Sequence, residues 1–199
     1  MLRPWLEADR VPFRRMNADP RVMEFFPSLL SEAESDRGFE GIQDHFRRHG
    51  FGLFALALRN DGTFIGFTGL AVPAFESHFT PCVEIGWRLA AEYWNRGFAT
   101  EAAQAVVRHA FGPLQLEELV SFTVPANLRS RRVMEKLGMT RDAAGDFDHP
   151  KIPEGHPLRR HVLYRLHAAS FKTGSAGSMV ANSTPLTSSM ADSGSSARS

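Results

Sequence analysis

The sequence predicts an α/β protein of mixed α+β type: a central, mixed, mostly antiparallel sheet of about six to seven strands, with helices on both faces. Three observations carry this reading. Apolar strand-like runs come early and turn on Asn60-Asp61-Gly62, a strong hairpin signal. From residue 82 onward strand-like and helix-like segments alternate. Gly50, Gly112-Pro113 and Gly138 stand where helical patterns end.

Taken in order, residues 1–5 read as the end of a strand. Asp9 is placed to cap a helix running to about Ala18, with Pro12 tolerated in its first turn. Asp19-Pro20 restarts a short helix over Arg21 to Phe26, with Asp at the cap and Pro at the first helical position. Ser31 and Glu34 form a capping-box pattern, and the helix after them carries Phe39, Ile42 and Phe46 on one face. Phe51 to Arg59 is nearly all apolar, as in a strand buried on both faces, and its hairpin partner is Phe64 to Val72. In a strand from Cys82 to Leu89, Val83, Ile85, Trp87 and Leu89 share one face; Cys82, Glu84, Gly86 and Arg88 share the other. A helix over Phe98 to Phe111, a strand over Leu119 to Val124 and a helix over Asn127 to Leu137 follow. Met139 to Phe147 and Leu158 to Leu166 form a closing strand pair.

The 199 residues fit one domain over residues 1–168 and a Ser/Gly-rich tail over 169–199, which reads as disordered because it has too little apolar surface to offset its ordering entropy. A formal net charge of +1 argues against nucleic-acid binding, which calls for a basic excess. Cys82 is the single cysteine, so no intrachain disulfide forms, and it reads as a small strand hydrophobe rather than a nucleophile. No signal core and no run near the ~20 apolar residues of a membrane span is present, which makes the cytoplasm the expected location.

The chemistry concentrates between Val83 and Ala102. A buried strand ends at Leu89, and a short loop, Asn95-Arg96-Gly97-Phe98-Ala99, opens a helix. A helix N-terminus offers free N–H groups and a positive dipole end. Gly97 and Ala99 remove bulk and Arg96 adds charge, which suits a pyrophosphate. No Gly-Lys-Ser/Thr follows, so this is no Walker loop, and the glycines are too few for a dinucleotide fingerprint.

The run Tyr93-Trp94-Asn95-Arg96-Gly97-Phe98-Ala99-Thr100-Glu101-Ala102 resembles the cofactor signature of the GNAT superfamily of N-acetyltransferases. It looks most like the branch with the RimJ/RimL-type ribosomal-protein N-terminal acetyltransferases. Leu2-Arg3-Pro4-Trp5, Asn17 to Met23, Asn127-Leu128-Arg129-Ser130, Glu135 to Met139 and His161 to Leu166 resemble further segments of that branch, in its order. Two features depart from the superfamily pattern: Trp94 stands where Arg or Gln is usual, and the first strand is short.

The resemblance implies the GNAT-type fold and acetyl-CoA as co-substrate, without a metal. It implies that Trp87, Arg88 and Leu89 run along the pantetheine arm. It implies that Asn95, Arg96, Gly97, Phe98, Ala99 and Thr100 hold the pyrophosphate and that Asn127 bonds the pantetheine arm. Asn127 also suits a plain helix cap. Ser130 matches a position near the sulfur, where it can protonate the departing thiolate, and it equally suits an ordinary first-turn residue. Arg129, Arg131 and Arg132 are a solvated face or a contact for the adenosine 3′-phosphate. For the general base the candidates are Glu84 on its strand and the cluster Asp146, Asp148 and His149; Glu101 reads as a structural first-turn acid. His149, His156 and His161 lack acidic ligands at a metal-binding spacing.

The implied activity is direct attack of a primary amine on the thioester in a ternary complex. The acceptor is a small molecule or a protein N-terminus, and a homodimer is allowed. The competing class is a non-catalytic acyl-CoA-binding or sensor module, which keeps the 95–100 loop and Asn127 but has no working base.

Overall fold

The computed structural model describes residues 1–171. The expected tail from residue 172 onward lies outside the described residues. Ala168–Ser170 form a 3-10 turn and the Phe171 ring sits 5.6 Å from that of Phe111.

Seven strands form one sheet: β1 Leu2–Arg3, β2 Leu53–Ala57, β3 Phe64–Ala71, β4 Glu84–Leu89, β5 Glu118–Thr123, β6 Thr140–Asp148 and β7 Arg160–His167. Their spatial order is β1-β2-β3-β4-β5-β7-β6. Every neighbouring pair is antiparallel except β4 and β5. The helices are α1 Arg10–Asn17, α2 Glu32–His49, α3 Phe98–Phe111 and α4 Leu128–Lys136. The expected mixed, mostly antiparallel sheet is therefore present.

Period-2 alternation divides the core between the two faces. Ile85, Ala103, Val106, Val107, Leu119 and Met134 pack the α3/α4 side. Phe13, Met16, Phe39, Ala55 and Phe67 pack the α1/α2 side around Trp5. The Trp5 indole donates to the Leu53 carbonyl at 2.6 Å, which ties the chain's start to the sheet. The Ser31–Glu34 box forms: Ser31 N donates to Glu34 at 2.8 Å and Glu34 N to Ser31 Oγ at 3.3 Å. Such a cap is typically worth ~1 kcal/mol. Gly50 closes α2 in the left-handed conformation at φ 73°.

Two expectations fail. Asp9 does not cap α1 with its side chain. Its carboxylate takes Arg3 in a two-bond fork at 2.6 and 2.7 Å and accepts from Leu6 N at 2.8 Å. A bidentate charged pair outweighs one cap bond, and a 3-10 turn, Glu7–Asp9, precedes the helix. Residues 21–26 form turns rather than a helix. Val22 N and Met23 N both bond the Asp19 carbonyl, but Pro27 has no N–H and keeps Phe26 out of helical conformation, so the turn cannot propagate.

Candidate active site

β4 and β5 share a single ladder pair, Glu84 with Val120, and Val120 N donates to the Val83 carbonyl at 2.9 Å. Past that pair the strands part, and the gap opens into a cleft of about 650 Å³. Gly86, Trp87, Arg88 and Leu89 form one wall and Ser121, Phe122 and Thr123 the other.

The antiparallel β3–β4 ladder decides which main-chain groups of β4 face this gap. Ala90 N bonds the Ile65 carbonyl, and the register continues through Arg88–Phe67 and Gly86–Gly69. Hydrogen-bonded and non-bonded pairs alternate in such a ladder. Arg88 therefore spends its main chain on Phe67, whereas Trp87 and Leu89 turn theirs toward the cleft. The Trp94 indole, donating to the Leu89 carbonyl at 2.8 Å, takes one of these groups. Of the three expected strand residues, Trp87 and Leu89 suit main-chain pairing with an extended ligand. Arg88 offers its side chain instead. A Cβ at Gly66 would lie 2.3 Å from the Arg88 carbonyl, so glycine is what lets β3 approach this closely.

Glu84 stands where the strands separate. It is half-buried and lines the cleft. Its carboxylate has no hydrogen bond or ion pair among the described residues, and desolvation pushes its pKa up to about 8. Cys82 nearby is a poor nucleophile, since burial and then the Glu84 charge push its thiol up to about 11.

The start of α3 forms the second part of the site. Asn95 (φ 59°) and Gly97 (φ 82°) are both left-handed, and the turn between them swings the chain into the helix. Glu101 N is the first amide bonded back into the helix, to Gly97 O, so the N–H groups from Arg96 to Thr100 have no partner among the described residues. A Cβ at Gly97 would meet nothing within 4 Å, so the space above this turn is open to a ligand. Asn95, Gly97, Phe98, Ala99 and Thr100 line the cleft. The Arg96 side chain does not; it is exposed and lies 5.0 Å above the Phe98 ring. Glu101 is exposed and also outside the cleft.

Asn127 caps α4, accepting from Ser130 N at 3.1 Å, while its amide donates to Thr123 Oγ1 at 3.1 Å. The cap thus links α4 to the β5 wall. Ser130 is half-buried in the cleft and its hydroxyl has no partner among the described residues. Arg129 bonds Glu24 at 2.5 Å and stacks on Trp94 at 4.5 Å. Arg132 lines the cleft, whereas Arg131 turns to Tyr164 and the Pro125 carbonyl.

The expected cluster of Asp146, Asp148 and His149 does not meet at the site. Asp146 pairs with Arg141 and accepts from Leu163 N, and Asp148 is exposed beside Arg160. Only His149 reaches the cleft. Its Nδ1 accepts from Lys151 N at 3.2 Å, so the neutral ring carries its proton on Nε2 and has no free lone pair there. Desolvation, His161 and Lys151 lower its pKa. His161 has the opposite arrangement. Its Nδ1 lies 3.0 Å from the Arg159 carbonyl, which leaves Nε2 unprotonated, and desolvation keeps the ring neutral. From the sequence His161 was weighed only as a metal ligand, and the structure places it in the cleft with Phe26, Ser121, Phe122 and Ile152. The polar Ser121 and Thr123 within an otherwise apolar strand were a usable signal. Phe26 and His161 carried none, because distant segments bring them together. Among the described residues no group of three or more His, Cys, Asp or Glu is arranged to hold a metal, and no helix is long and apolar enough to cross a membrane.

Comparison with known proteins identifies the family and the fold. A family model described as "Acetyltransferase (GNAT) domain" matches residues 1–140. An uncharacterized N-acetyltransferase of Bacillus subtilis, YnaD, is 30% identical over 151 residues, covering 75% of this chain and 82% of that protein. The crystal structure of an acetyltransferase from Agrobacterium tumefaciens superposes with a TM-score of 0.66 at 30% identity, over 83% of this chain and 89% of that one. Mycobacterium smegmatis RimJ in complex with CoA-disulfide shares the fold at a TM-score of 0.67 and 22% identity, over 86% of this chain and 83% of that chain.

Proposed function

Because this chain belongs to the GNAT family of acetyltransferases, we propose that it transfers the acetyl group of acetyl-CoA to a primary amine by direct attack in a ternary complex. The observation that carries this reading is the parting of β4 from β5 at Glu84, with a ladder of open main-chain groups on one side and the unpartnered amides of residues 96–100 beyond. The open amides and the free space above Gly97 fit a pyrophosphate without steric change. Trp87 and Leu89 suit the amide groups of a pantetheine arm. Acetyl-CoA supplies an activated acyl group with a thiolate leaving group.

The chain's own residues then have separate tasks. Glu84 accepts the proton that the ammonium must lose. A carboxyl held near pH 8 is a matched acceptor for an α-amine, whose ordinary pKa is about 8. Main-chain N–H groups of β4 face the site where negative charge grows on the thioester oxygen. The Ser130 hydroxyl is free to protonate the departing sulfur. A thiol near pKa ~8.5 needs little help, so this contribution is small. Bringing both substrates into one cleft supplies further acceleration.

Within this activity the acceptor is a protein N-terminus or a small amine. The test is thiol release from acetyl-CoA across amines and free-N-terminus peptides, with the acetylated product identified by mass spectrometry. Amine-dependent release of thiol supports transfer. Tight acetyl-CoA binding with no release for any amine would instead mark a binding module.

A further inference from the structure

Arg88 and Glu84 lie four residues apart on one face of β4, on the side away from α3, and both line the cleft. Each is charged in its ordinary state, each is enclosed, and neither has an ionic partner among the described residues. Arg88 is instead fixed by neutral groups. Its Nη1 donates to Asn17 Oδ1 at 2.7 Å, and Asn17, fully buried, donates in turn to Ser35 Oγ at 3.3 Å. The guanidinium lies 4.1 Å from the Phe26 ring and 5.5 Å from the Phe67 ring. Its Nε is buried without a partner, and Nη2 makes no hydrogen bond among the described residues. The Nε/Nη2 edge, the fork that grips a carboxylate in two parallel bonds, is therefore unspent.

Enclosed charges are normally paired. Here the other charged cleft residues do not supply the partner. Among the described residues Glu84 is the only acid lining the cleft, and along a strand its Cα lies about 13 Å from that of Arg88. Arg21 and Arg129 are already paired with Asp19 and Glu24. The main chain of Arg88 is committed to β3, so the pantetheine side of the strand has no use for it.

We propose that Arg88 is the carboxylate-binding residue of the acceptor subsite, and that the acceptor is an amine bearing a carboxylate several bonds from the reacting nitrogen. This rests on the acetyl-transfer reading only in treating the Glu84 end of the cleft as the amine's position. One zwitterionic molecule then satisfies both enclosed groups, its ammonium at Glu84 and its carboxylate at the Arg88 fork. Asn17 is a positioning residue that holds the fork in place. ω-Amino acids and short peptides with a free C-terminus have the required span. A polyamine lacks the counter-charge and meets a cleft whose charged lining residues, Glu84 apart, are cations.

The test compares 6-aminohexanoate with 6-aminohexanamide, and triglycine with its C-terminal amide, on the full chain saturated with CoA. Calorimetry reads binding, and thiol release from acetyl-CoA reads transfer. The carboxylates are expected to bind about 10- to 100-fold more tightly than their amides, the range for losing a hydrogen bond to a charged group. In Arg88→Gln that preference disappears, with CoA affinity unchanged. Arg88→Lys, which keeps the charge but not the fork, retains part of it and serves where Arg88→Gln does not fold. Asn17→Ala raises KM for the carboxylates and leaves KM for the amides alone. Equal binding of acid and amide by the wild-type protein overturns the proposal, as does an Arg88→Lys variant that weakens both alike. Binding of 6-aminohexanoate without thiol release for any amine upholds the subsite and removes the transfer reading. Release from the amides as fast as from the acids does the reverse.

Discussion

The two halves of the cleft are made of different material. The half proposed for the cofactor uses main chain: the open edge of β4, the turn over residues 95–97 and the first amides of α3. The half proposed for the acceptor uses side chains, gathered from β4, from the turns before α2, from β5, from the loop after β6 and from β7. Main-chain recognition leaves a local mark in sequence, because it demands a strand end, a left-handed glycine and a helix start within about a dozen residues. Side-chain recognition leaves none, because its members meet only through the fold.

The largest effect that separates the halves is expected from Glu84→Gln. Positioned acid–base catalysis is typically worth ~10²–10⁴-fold, so turnover should fall by that order near pH 8, where Glu84 is ionised, while CoA affinity, measured by calorimetry, stays the same. A fall in both would erase the boundary between the halves. The same variant should be more stable than the wild type at alkaline pH. Below the ordinary carboxyl range Glu84 is protonated whether folded or unfolded, and no penalty exists. Between that range and its folded value of about 8 the unfolded chain ionises first, so the penalty grows, and it is complete above 8. Thermal melts should therefore show no gain at pH 4 and a gain of a few kcal/mol at pH 9.

Gly97→Val sharpens the comparison from the other side. A β-branched residue at φ 82° is strained, and its side chain enters the space left for a phosphate. CoA affinity should drop at least about tenfold, the equivalent of 1.4 kcal/mol. Ser130→Ala should leave it unchanged. Equal affinities for two folded variants would contradict the cradle.

The histidines probe the acceptor half at smaller scale. His161, with a free Nε2 beside the aromatic wall, should affect acceptor KM several-fold when changed to Ala. His149→Ala should not alter the pH profile, since Nδ1 is taken by Lys151 N and Nε2 carries the proton. Loss of the profile in His149→Ala would move the base into the β6–β7 loop. Asn127→Ala should cost least in stability. Losing its cap is worth ~1 kcal/mol, or roughly 2–4 °C in Tm for a chain of this size.

Much of the scaffold was legible in the residues. The Ser31–Glu34 box, the Asn60-Asp61-Gly62 turn and the stop at Gly112 act within a few residues, and α3 occupies the expected span. Expectations failed where a residue just outside the local pattern decided the outcome. Asp9 had the look of a cap until Arg3 claimed it, and Pro27 ended the turn that Asp19-Pro20 had started. In the site, Asn95, residues 97–100 and Asn127 line one cleft, while the Arg96 side chain lies outside it. The separation of Asp146 and Asp148 from the cleft follows from two arginines, Arg141 on the same strand and Arg160 across the hairpin on β7. The roles of Asn17 and Phe26 against Arg88 depend on a contact spanning 71 residues of chain in one case and on a turn without regular structure in the other. No local pattern encodes either.

The central claim is that Glu84, at the point where β4 and β5 part, takes the proton from the attacking amine. The direct measurement is kcat/KM against pH for wild type and Glu84→Gln, with an alkylamine acceptor of ordinary pKa about 10.4. The wild-type profile should rise and level off near pH 8, where Glu84 becomes ionised. The variant should start lower and keep rising about tenfold per pH unit toward pH 10, because only amine that is already neutral can attack. A Glu84→Gln profile that matches the wild type in height and midpoint would contradict the account.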